Sequence, residues 1–201
     1  MPRRFLLLFI TVSVSALLLL LWACGSTREK QVDLCACDPT APASRDYRTV
    51  AKHADLPPGT ATEISVADVL NFDVGMIPAA DAARSGRELR LFHIAHAFAQ
   101  LVWVVPDDCD IHVEISDTAD KAAPRIIVET PRNTSFCQSR QQLAGQFNAH
   151  GVIIDNNRQE LNPPLPIDVR GLAFQDEPHV TRGSALVGTV WELHPAVVTV
   201  Q

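Results

Sequence analysis

The stretch CDIHVEISD, residues 109 to 117, decides the fold class of this chain. Its apolar side chains stand at every second position, between polar ones. Because successive side chains of a strand point to opposite faces, this alternation predicts a β-strand with one buried and one solvated face. A second β-rich run, Arg125 to Thr130, lies between Pro124 and Pro131, and the polar link from Ser116 to Ala123 predicts a hairpin.

The chain downstream of this hairpin predicts one helix and two further strands. Residues Ser135 to His150 are rich in helix formers and are followed by Gly151, a residue suited to the end of a helix. The prolines between Pro163 and Pro166 predict a turn. Beyond this turn we expect strands from Val169 to Gln175 and from Ser184 to Val200.

The chain upstream of the hairpin is less uniform. Ser65-Val66-Ala67-Asp68 predicts a capping box at the start of a short helical turn through Phe72. The stretch from Arg87 to Val105 fits a helix by spacing and a strand by its β-rich end, and periodicity alone does not decide. With a strand there, the order is that of an OB-like five-stranded barrel with one helix between strands 3 and 4. The predicted class is therefore mainly β, with the barrel over residues 60 to 201.

The N-terminus has the pattern of an export signal. Pro2-Arg3-Arg4 precedes an uncharged apolar run from Phe5 to Ala23. A positive start followed by an apolar run is typical of a secretory signal peptide, and we assign residues 1 to 23 to one. The alternative is an uncleaved transmembrane anchor, since a run of this length nearly crosses a bilayer core of about 30 Å.

The end of the apolar run contains a cysteine in a familiar context. Leu21-Trp22-Ala23-Cys24-Gly25 resembles the lipobox of bacterial lipoproteins, in which the cysteine becomes the acylated N-terminus. The resemblance implies a lipid anchor at Cys24 and a location on the periplasmic face of a bacterial membrane, with Gly25 favouring the outer membrane. Ordinary signal-peptidase cleavage after Gly25 is the alternative.

The composition of residues 24 to 59 predicts a tether, and the charge of the chain disfavours nucleic acid as a partner. Residues 24 to 59 contain several prolines, scattered charges and no hydrophobic period, which predicts a flexible tether. Without residues 1 to 23, 15 basic and 23 acidic side chains leave a formal charge of −8, all of it from Thr60 onward. Binding of nucleic acid through phosphates needs a basic stripe, so the charge disfavours a nucleic-acid partner.

The cysteines after Cys24 are even in number, as expected where disulfides persist. They are Cys35, Cys37, Cys109 and Cys137, which allow three pairings. We predict a bridge between Cys109 and Cys137, the pair within the domain, because Cys35 and Cys37 lie in the tether and are too close in sequence to join easily. A metal clip at Cys35-Ala36-Cys37 is the alternative use of that pair.

Four short motifs lie in the second half of the chain. They are Asp108-Cys109-Asp110-Ile111-His112, Ile127-Val128-Glu129-Thr130-Pro131, the stretch from Gly171 to His179, and Trp191-Glu192-Leu193-His194-Pro195. Together they resemble a loosely defined group of uncharacterised exported bacterial proteins. The resemblance covers about residues 87 to 201. It implies an OB-like barrel, makes the stretch from Arg87 to Val105 a strand, and implies no activity.

Histidines and carboxylates recur on the predicted strands and in the loop before the last one. The candidate polar cluster consists of His112, Glu114, Asp176, His179, Glu192 and His194. Alternation places the first two on one face of a strand and the last two on one face of another. These residue types suit a Zn²⁺ site or a general acid/base pair. The ordinary interpretation is that they form the solvated face of the barrel, which leaves His194 exposed and Trp191 in the core.

These observations favour a binding or interaction module over an enzyme. The leading hypothesis is an exported module, anchored to a membrane through Cys24, that needs no cofactor and binds a protein or an envelope polymer. The first alternative is an envelope-associated hydrolase that uses the candidate polar cluster, with or without a metal ion. The second is a single-stranded nucleic-acid binder, which the charge of −8 disfavours.

The lipid anchor is directly testable. We expect mass spectrometry of the exported protein to show a mature chain that begins at Cys24 and carries acyl groups, because more than one acyl chain is needed for stable membrane attachment. An unmodified N-terminus at Ser26, or a retained segment from residue 1 to 23, would contradict this prediction.

Overall fold

A computed structural model of the chain describes residues 47 to 178 and 184 to 201. The helices are α1 (Thr49–Lys52), α2 (Val66–Leu70) and α3 (Cys137–Ala149), with 3₁₀ turns at Gly86–Leu89 and Thr134–Phe136. The strands are β1 (Thr62–Glu63), β2 (Leu91–Val104), β3 (Ile111–Ser116), β4 (Arg125–Thr130), β5 (Gln159–Gln175) and β6 (Val187–Val200). None of the helices in this part of the chain is long and apolar enough to cross a membrane. The predicted signal segment, Cys24, Cys35, Cys37 and His179 lie outside the described residues.

Five strands close into a barrel. Their order is β2-β3-β4-β6-β5, and β5 pairs again with β2. All neighbours in the ring are antiparallel except β4 and β6, which pair in parallel. The helix α3 follows β4 and precedes β5, so it lies between the third and fourth barrel strands. The predicted mainly β class, an OB-like five-stranded barrel with one helix at this place, is confirmed.

Local patterns predicted several elements correctly. The ambiguous stretch from Arg87 to Val105 contains strand β2. Ser65 caps α2, since its side chain accepts the Asp68 backbone N–H while the Asp68 carboxylate accepts the Ser65 backbone N–H. Gly151, directly after the C-cap of α3, has a φ of 76°, a conformation that favours glycine.

The barrel interior is filled by the alternating apolar side chains. Ile111, Val113 and Ile115 of β3 are fully buried in the core. Trp191 of β6 is 6% exposed, and its indole N–H donates to the Asp73 carbonyl oxygen at 3.1 Å. The predicted core position of Trp191 is therefore confirmed, and the buried N–H has the partner that it requires.

The outer faces of β3 and β4 differ from the sequence prediction. Every residue of both strands is buried, so the prediction of one solvated face for β3 is wrong, and β4 has no solvated face either. Alternation shows that a strand has two chemically different faces, but it does not show whether another segment covers the polar face. In this fold the segment around α1 and the loop before β2 supply contacts that bury it, as described below.

The predicted tether, residues 24 to 59, includes residues that pack on the domain, so its C-terminal boundary is wrong. Arg48 is 2% exposed, and its guanidinium donates to the two carboxylate oxygens of Glu88 at 2.6 and 2.7 Å. The Nζ atom of Lys52 lies 2.9 Å from Oδ2 of Asp176. Buried ion pairs are specific long-range contacts that composition does not indicate. The domain therefore begins no later than Tyr47.

Strand β5 passes through the segment that was predicted to be a turn at Pro163 to Pro166. Its pairing with β2 changes register there, because Leu165 lies opposite Ala99 while Glu160 lies opposite Leu101. The extra residues of β5 form an irregularity of the bulge type, where an unpaired residue has no ladder partner. Prolines fit such a place because they need not donate a ladder hydrogen bond.

Both cysteines of the described residues, Cys109 and Cys137, are disulfide-bonded. Their pairing with each other stays a prediction. The other two pairings involve Cys35 and Cys37, and peptide mapping without reduction distinguishes all three.

The contact between β5 and β6 predicts the effect of two glycine substitutions. A Cβ at Gly171 would lie 2.8 Å from the Pro195 carbonyl oxygen, so we expect Gly171→Ala to destabilise the fold by about 1–3 kcal/mol. Gly145→Ala in α3 is the control, because its Cβ meets nothing within 4 Å. This control should stabilise the helix by about 0.5–1 kcal/mol. Urea unfolding of both variants checks the pair, and a Gly171→Ala variant as stable as the parent would contradict the close approach.

Candidate functional site

A row of histidines and carboxylates crosses the outer face of the barrel beneath the N-terminal segment. Its members on the barrel are His112 on β3, Glu129 on β4, Glu192 and His194 on β6, and Asp110 directly before β3. None of them is more than 6% exposed. Polar groups buried to this degree need partners, and the contacts of this row supply nearly all of them.

Strand register brings the row together. The antiparallel pairing of β3 and β4 places His112 opposite Glu129. The parallel pairing of β4 and β6 places Ile127 beside Glu192, so the next outward-facing residues along the two strands are Glu129 and His194. Side chains that neighbour each other across a ladder lie within reach of direct contact.

Glu129 joins the two histidines. Its Oε1 lies 2.6 Å from Nδ1 of His112, and its Oε2 lies 3.0 Å from Nδ1 of His194. The same nitrogen of His194 is 3.2 Å from Oε1 of Glu192. On the other side of the ring, Nε2 of His194 lies 3.1 Å from Oδ2 of Asp110. His194 is thus surrounded by three carboxyl groups.

His53 adds a third imidazole from the N-terminal segment. Its Nε2 lies 3.1 Å from the same Oδ2 of Asp110, and its Nδ1 lies 2.8 Å from the Thr49 carbonyl oxygen. The ring meets that of His194 edge to face, with 5.6 Å between the centroids. The residue directly after α1 is therefore part of the row.

Arg84, in the loop before β2, ties the N-terminal segment to the barrel strands. Its guanidinium donates to the carbonyl oxygen of Ala51 at 2.7 Å, to that of Ala173 on β5 at 2.7 Å, and to that of His194 on β6. Burial lowers the pKa of Arg84 to about 10, which leaves the side chain charged at neutral pH. One cation thus satisfies carbonyl oxygens from three parts of the fold.

Contacts within the row raise the pKa of His194 and lower the pKa values of Asp110 and Glu129. Burial opposes the charge of His194, but contacts with Asp110, Glu129 and Glu192 outweigh it and raise its pKa well above the usual value. Burial also opposes the charge of Asp110, yet the contacts with His194 and His53 lower its pKa to about 2. Glu129 has its pKa lowered in the same way, by His112 and His194.

The pKa values of two further carboxyl groups are raised. Burial and the neighbouring charges of Asp110 and Glu129 raise the pKa of Asp108 to about 7. Burial, with the charges of Asp176 and Glu129, also raises the pKa of Glu192. Carboxyl groups whose environments separate their pKa values in this way are the pattern expected of acid/base and ligand-binding sites.

A cavity of about 270 Å³ opens beside the row. It is lined by Lys52, Trp103, Val105, Pro106, Asp107, Asp108, His112, Ile127, Glu129, Asn156, Arg158 and Asp176. His112 stacks on Trp103 with 3.6 Å between the ring centroids, and the Arg158 guanidinium carbon lies 4.5 Å from the Trp103 centroid. Nε2 of His112 is buried and has no hydrogen-bond partner among the described residues.

The structure brings together part of the candidate polar cluster. His112, Glu192 and His194 belong to one row, and Asp176 lines the adjoining cavity. Glu114 instead accepts hydrogen bonds from Arg125 at 3.0 Å and from Ser184, N–H and hydroxyl, at 2.6 Å each. His179 lies outside the described residues. The expectation that His194 is exposed is wrong, since its exposure is 0%.

Sequence reasoning missed several residues of the site. Lys52 and His53 lie in a proline-flanked segment without a hydrophobic period, so no local pattern marked them. Trp103, in the β-rich end of the stretch from Arg87 to Val105, forms a wall of the cavity. Glu129 carried a usable signal, because it is a lone carboxylate within the β-rich run Ile126 to Thr130.

Comparison with known proteins identifies neither a family nor a function for this chain. No family model, no curated protein and no solved structure matches this chain. The resemblance to exported bacterial proteins stays a prediction, and function is argued from the site itself because a fold does not determine it.

The burial of His194 predicts a large effect on stability. We expect His194→Gln to destabilise the fold by about 3–5 kcal/mol, because the substitution leaves three buried carboxyl groups without the imidazole that contacts them. His96→Gln on β2 is the matched control, since His96 is exposed and surface substitutions usually change stability by less than about 0.5 kcal/mol. Thermal melts of the two variants provide the check, and equal melting temperatures would contradict the buried site.

Proposed function

We propose that this chain is an exported, lipid-anchored binding protein whose barrel holds a small polar ligand in the cavity beside His112. The observation that carries the proposal is the buried Nε2 of His112, which has no hydrogen-bond partner among the described residues and belongs to a residue of the cavity wall. An unsatisfied buried polar atom costs about 1–3 kcal/mol. A ligand hydroxyl or amine that hydrogen-bonds to this nitrogen would remove that cost.

The surroundings of His112 fix its ring for such a contact. The stack with Trp103 holds one face of the imidazole, and the 2.6 Å contact with Glu129 holds Nδ1. With Nδ1 bonded to a carboxylate, Nε2 is the ring nitrogen left to meet a ligand. Rigid, preformed groups of this kind reduce the entropy lost on binding.

The charges of the cavity wall favour a neutral or cationic ligand. Four carboxyl groups line it, from Asp107, Asp108, Glu129 and Asp176, against the two cations of Lys52 and Arg158. The pKa of Asp108, about 7, leaves that group partly protonated at neutral pH, and the other three still outnumber the cations. Lys52 is already paired with Asp176 at 2.9 Å. An anionic ligand would therefore meet a net negative wall, whereas hydroxyl and amino groups find acceptors there.

Size and apolar lining narrow the ligand class further. A volume of about 270 Å³ lies just below the usual range for ligand pockets, so the cavity suits one ring-sized group. Trp103, Val105, Pro106 and Ile127 offer apolar surface beside the carboxylates. A hydroxylated or amino-bearing sugar unit of an envelope polymer has both an apolar face and many polar groups. An anchor at Cys24 would hold the domain where such polymers occur.

A hydrolase is the second candidate, and one specific contact favours it. Nδ1 of His112 is 2.6 Å from Glu129, and the ring lines the cavity, which is the arrangement of a general base oriented by a carboxylate. Release of nitrophenol from nitrophenyl glycosides or bis(4-nitrophenyl) phosphate, abolished by His112→Gln, would favour this candidate. Binding without turnover favours the binding module.

The binding module is tested with the mature, acylated chain in detergent micelles. Titration with glucosamine, glucose and glucuronate, followed by tryptophan fluorescence and calorimetry, should show binding of the first two and weaker binding of the anion. We expect His112→Gln to weaken binding about tenfold, since one hydrogen bond to a buried group contributes about 1.5 kcal/mol. His96→Gln is the control and should bind as the parent does. No binding of any of the three sugars, or an unaffected His112→Gln variant, would overturn the proposal.

A further inference from the structure

We propose that His53, Asp110 and His194 bind one divalent transition-metal ion, with Zn²⁺ as the preferred ion. The three residues come from the segment after α1, the loop before β3 and strand β6. Their donor atoms all lie within 4.8 Å of one another. Two imidazole nitrogens and one carboxylate are a recurrent protein ligand set for Zn²⁺ and other transition metals. This inference is independent of the ligand in the cavity.

The spacing of the donor atoms is close to what an ion requires. Nε2 of His53 and Nε2 of His194 each lie 3.1 Å from Oδ2 of Asp110. Ligand atoms at 2.0–2.2 Å from a tetrahedral ion are separated by about 3.3 Å. Each nitrogen therefore needs to move away from the Asp110 oxygen by only a few tenths of an ångström, and the two nitrogens lie within 4.8 Å of each other.

The outer nitrogens of both rings have the partners that metal-bound histidines usually have. Nδ1 of His53 faces the Thr49 carbonyl oxygen at 2.8 Å. Nδ1 of His194 faces Glu129 at 3.0 Å and Glu192 at 3.2 Å. A carbonyl or carboxylate on Nδ1 fixes the tautomer in which Nε2 is the ligand atom, and it orients the ring. Both rings thus present Nε2 to the same carboxylate.

One nitrogen of the triad lacks a hydrogen bond. His194 is 0% exposed, and its Nε2 has no hydrogen-bond partner among the described residues despite lying 3.1 Å from Asp110. The direction of that contact is not that of a hydrogen bond. A metal ion between the two atoms would satisfy both.

A second group of donors also meets at His194 but fits an ion less well. Glu129, Glu192 and His194 lie close enough to share one, through Nδ1 of the histidine. That set has a single imidazole, and Glu129 already binds His112 at 2.6 Å. A neutral imidazole has one nitrogen free to bind a metal, so the two sets exclude each other. The two-histidine set is favoured, with Glu129 and Glu192 as its outer support.

The position of the triad between two parts of the fold indicates a structural role for the ion. It would join the segment after α1, through His53, to the barrel, through Asp110 and His194. Only 6% of the His53 side chain is exposed, so the ion would be enclosed once this segment is in place. A ligand that binds the folded state alone stabilises it by mass action.

The test is metal binding by the full mature chain after treatment with a chelator and dialysis. We expect ZnCl₂ to bind with a stoichiometry of one, to raise the melting temperature, and Co²⁺ to give the visible absorption bands of a tetrahedral site. MgCl₂ should bind at least a hundredfold more weakly, because Mg²⁺ prefers an octahedral shell of oxygen ligands. Equal affinity for Mg²⁺ would overturn the assignment of histidine ligands.

His53→Gln is the deciding variant, because His53 lies in the covering segment and its loss spares the barrel strands, whereas His194→Gln risks unfolding. We expect its affinity for Zn²⁺ to fall at least a hundredfold and the Co²⁺ bands to disappear, while His96→Gln binds as the parent does. Unchanged Zn²⁺ binding by His53→Gln, or no binding by the parent chain at micromolar Zn²⁺, would overturn the proposal. Glucosamine binding measured on the same samples reports the cavity separately, so failure of one proposal leaves the other intact.

Discussion

The carboxylate of Glu129, held between the imidazoles of His112 and His194, is the interaction on which the rest of the site depends. A buried carboxylate needs donors on both oxygens, and these two rings supply them at 2.6 and 3.0 Å. The contact requires three neighbouring strands in a single register, because a shift of one residue would turn any of the three side chains into the barrel. The polar row is thus a consequence of how β3, β4 and β6 pair. It also destabilises other registers, because they would leave buried polar groups without partners.

The N-terminal segment turns this row from a surface into a site. Three side-chain pairs attach the segment to the rest of the domain: Arg48 with Glu88, Lys52 with Asp176, and His53 with Asp110. The cover removes water from these carboxyl groups. Burial is therefore the main reason that the pKa values of Asp108 and Glu192 are raised. A barrel without this cover would expose the same residues as an ordinary solvated face.

Glu129 also links the two proposals. One of its oxygens contacts His112, which lines the cavity, and the other contacts His194, which belongs to the proposed metal triad. The orientation of the histidine at the cavity and the orientation of the histidine at the ion are therefore set by one side chain. Such shared support is common in functional sites, where groups that touch no ligand position those that do.

The sequence by itself determined strands β3, β4 and β6, the capping box at Ser65 and the helix before Gly151, because alternation, caps and turns are local signals. Its periodicity left β2 undecided between helix and strand. It also placed His112 and Glu114 on one face of a strand, and Glu192 and His194 on one face of another. Only the tertiary structure decided that these faces are covered, that Lys52 and His53 belong to the site, and that β5 continues past Pro163. Each of these depends on contacts between residues far apart in the chain, such as His53 with Asp110 or Ile127 beside Glu192. Local periodicity records which side chains share a face of an element, and it holds no information about which distant segment packs against that face.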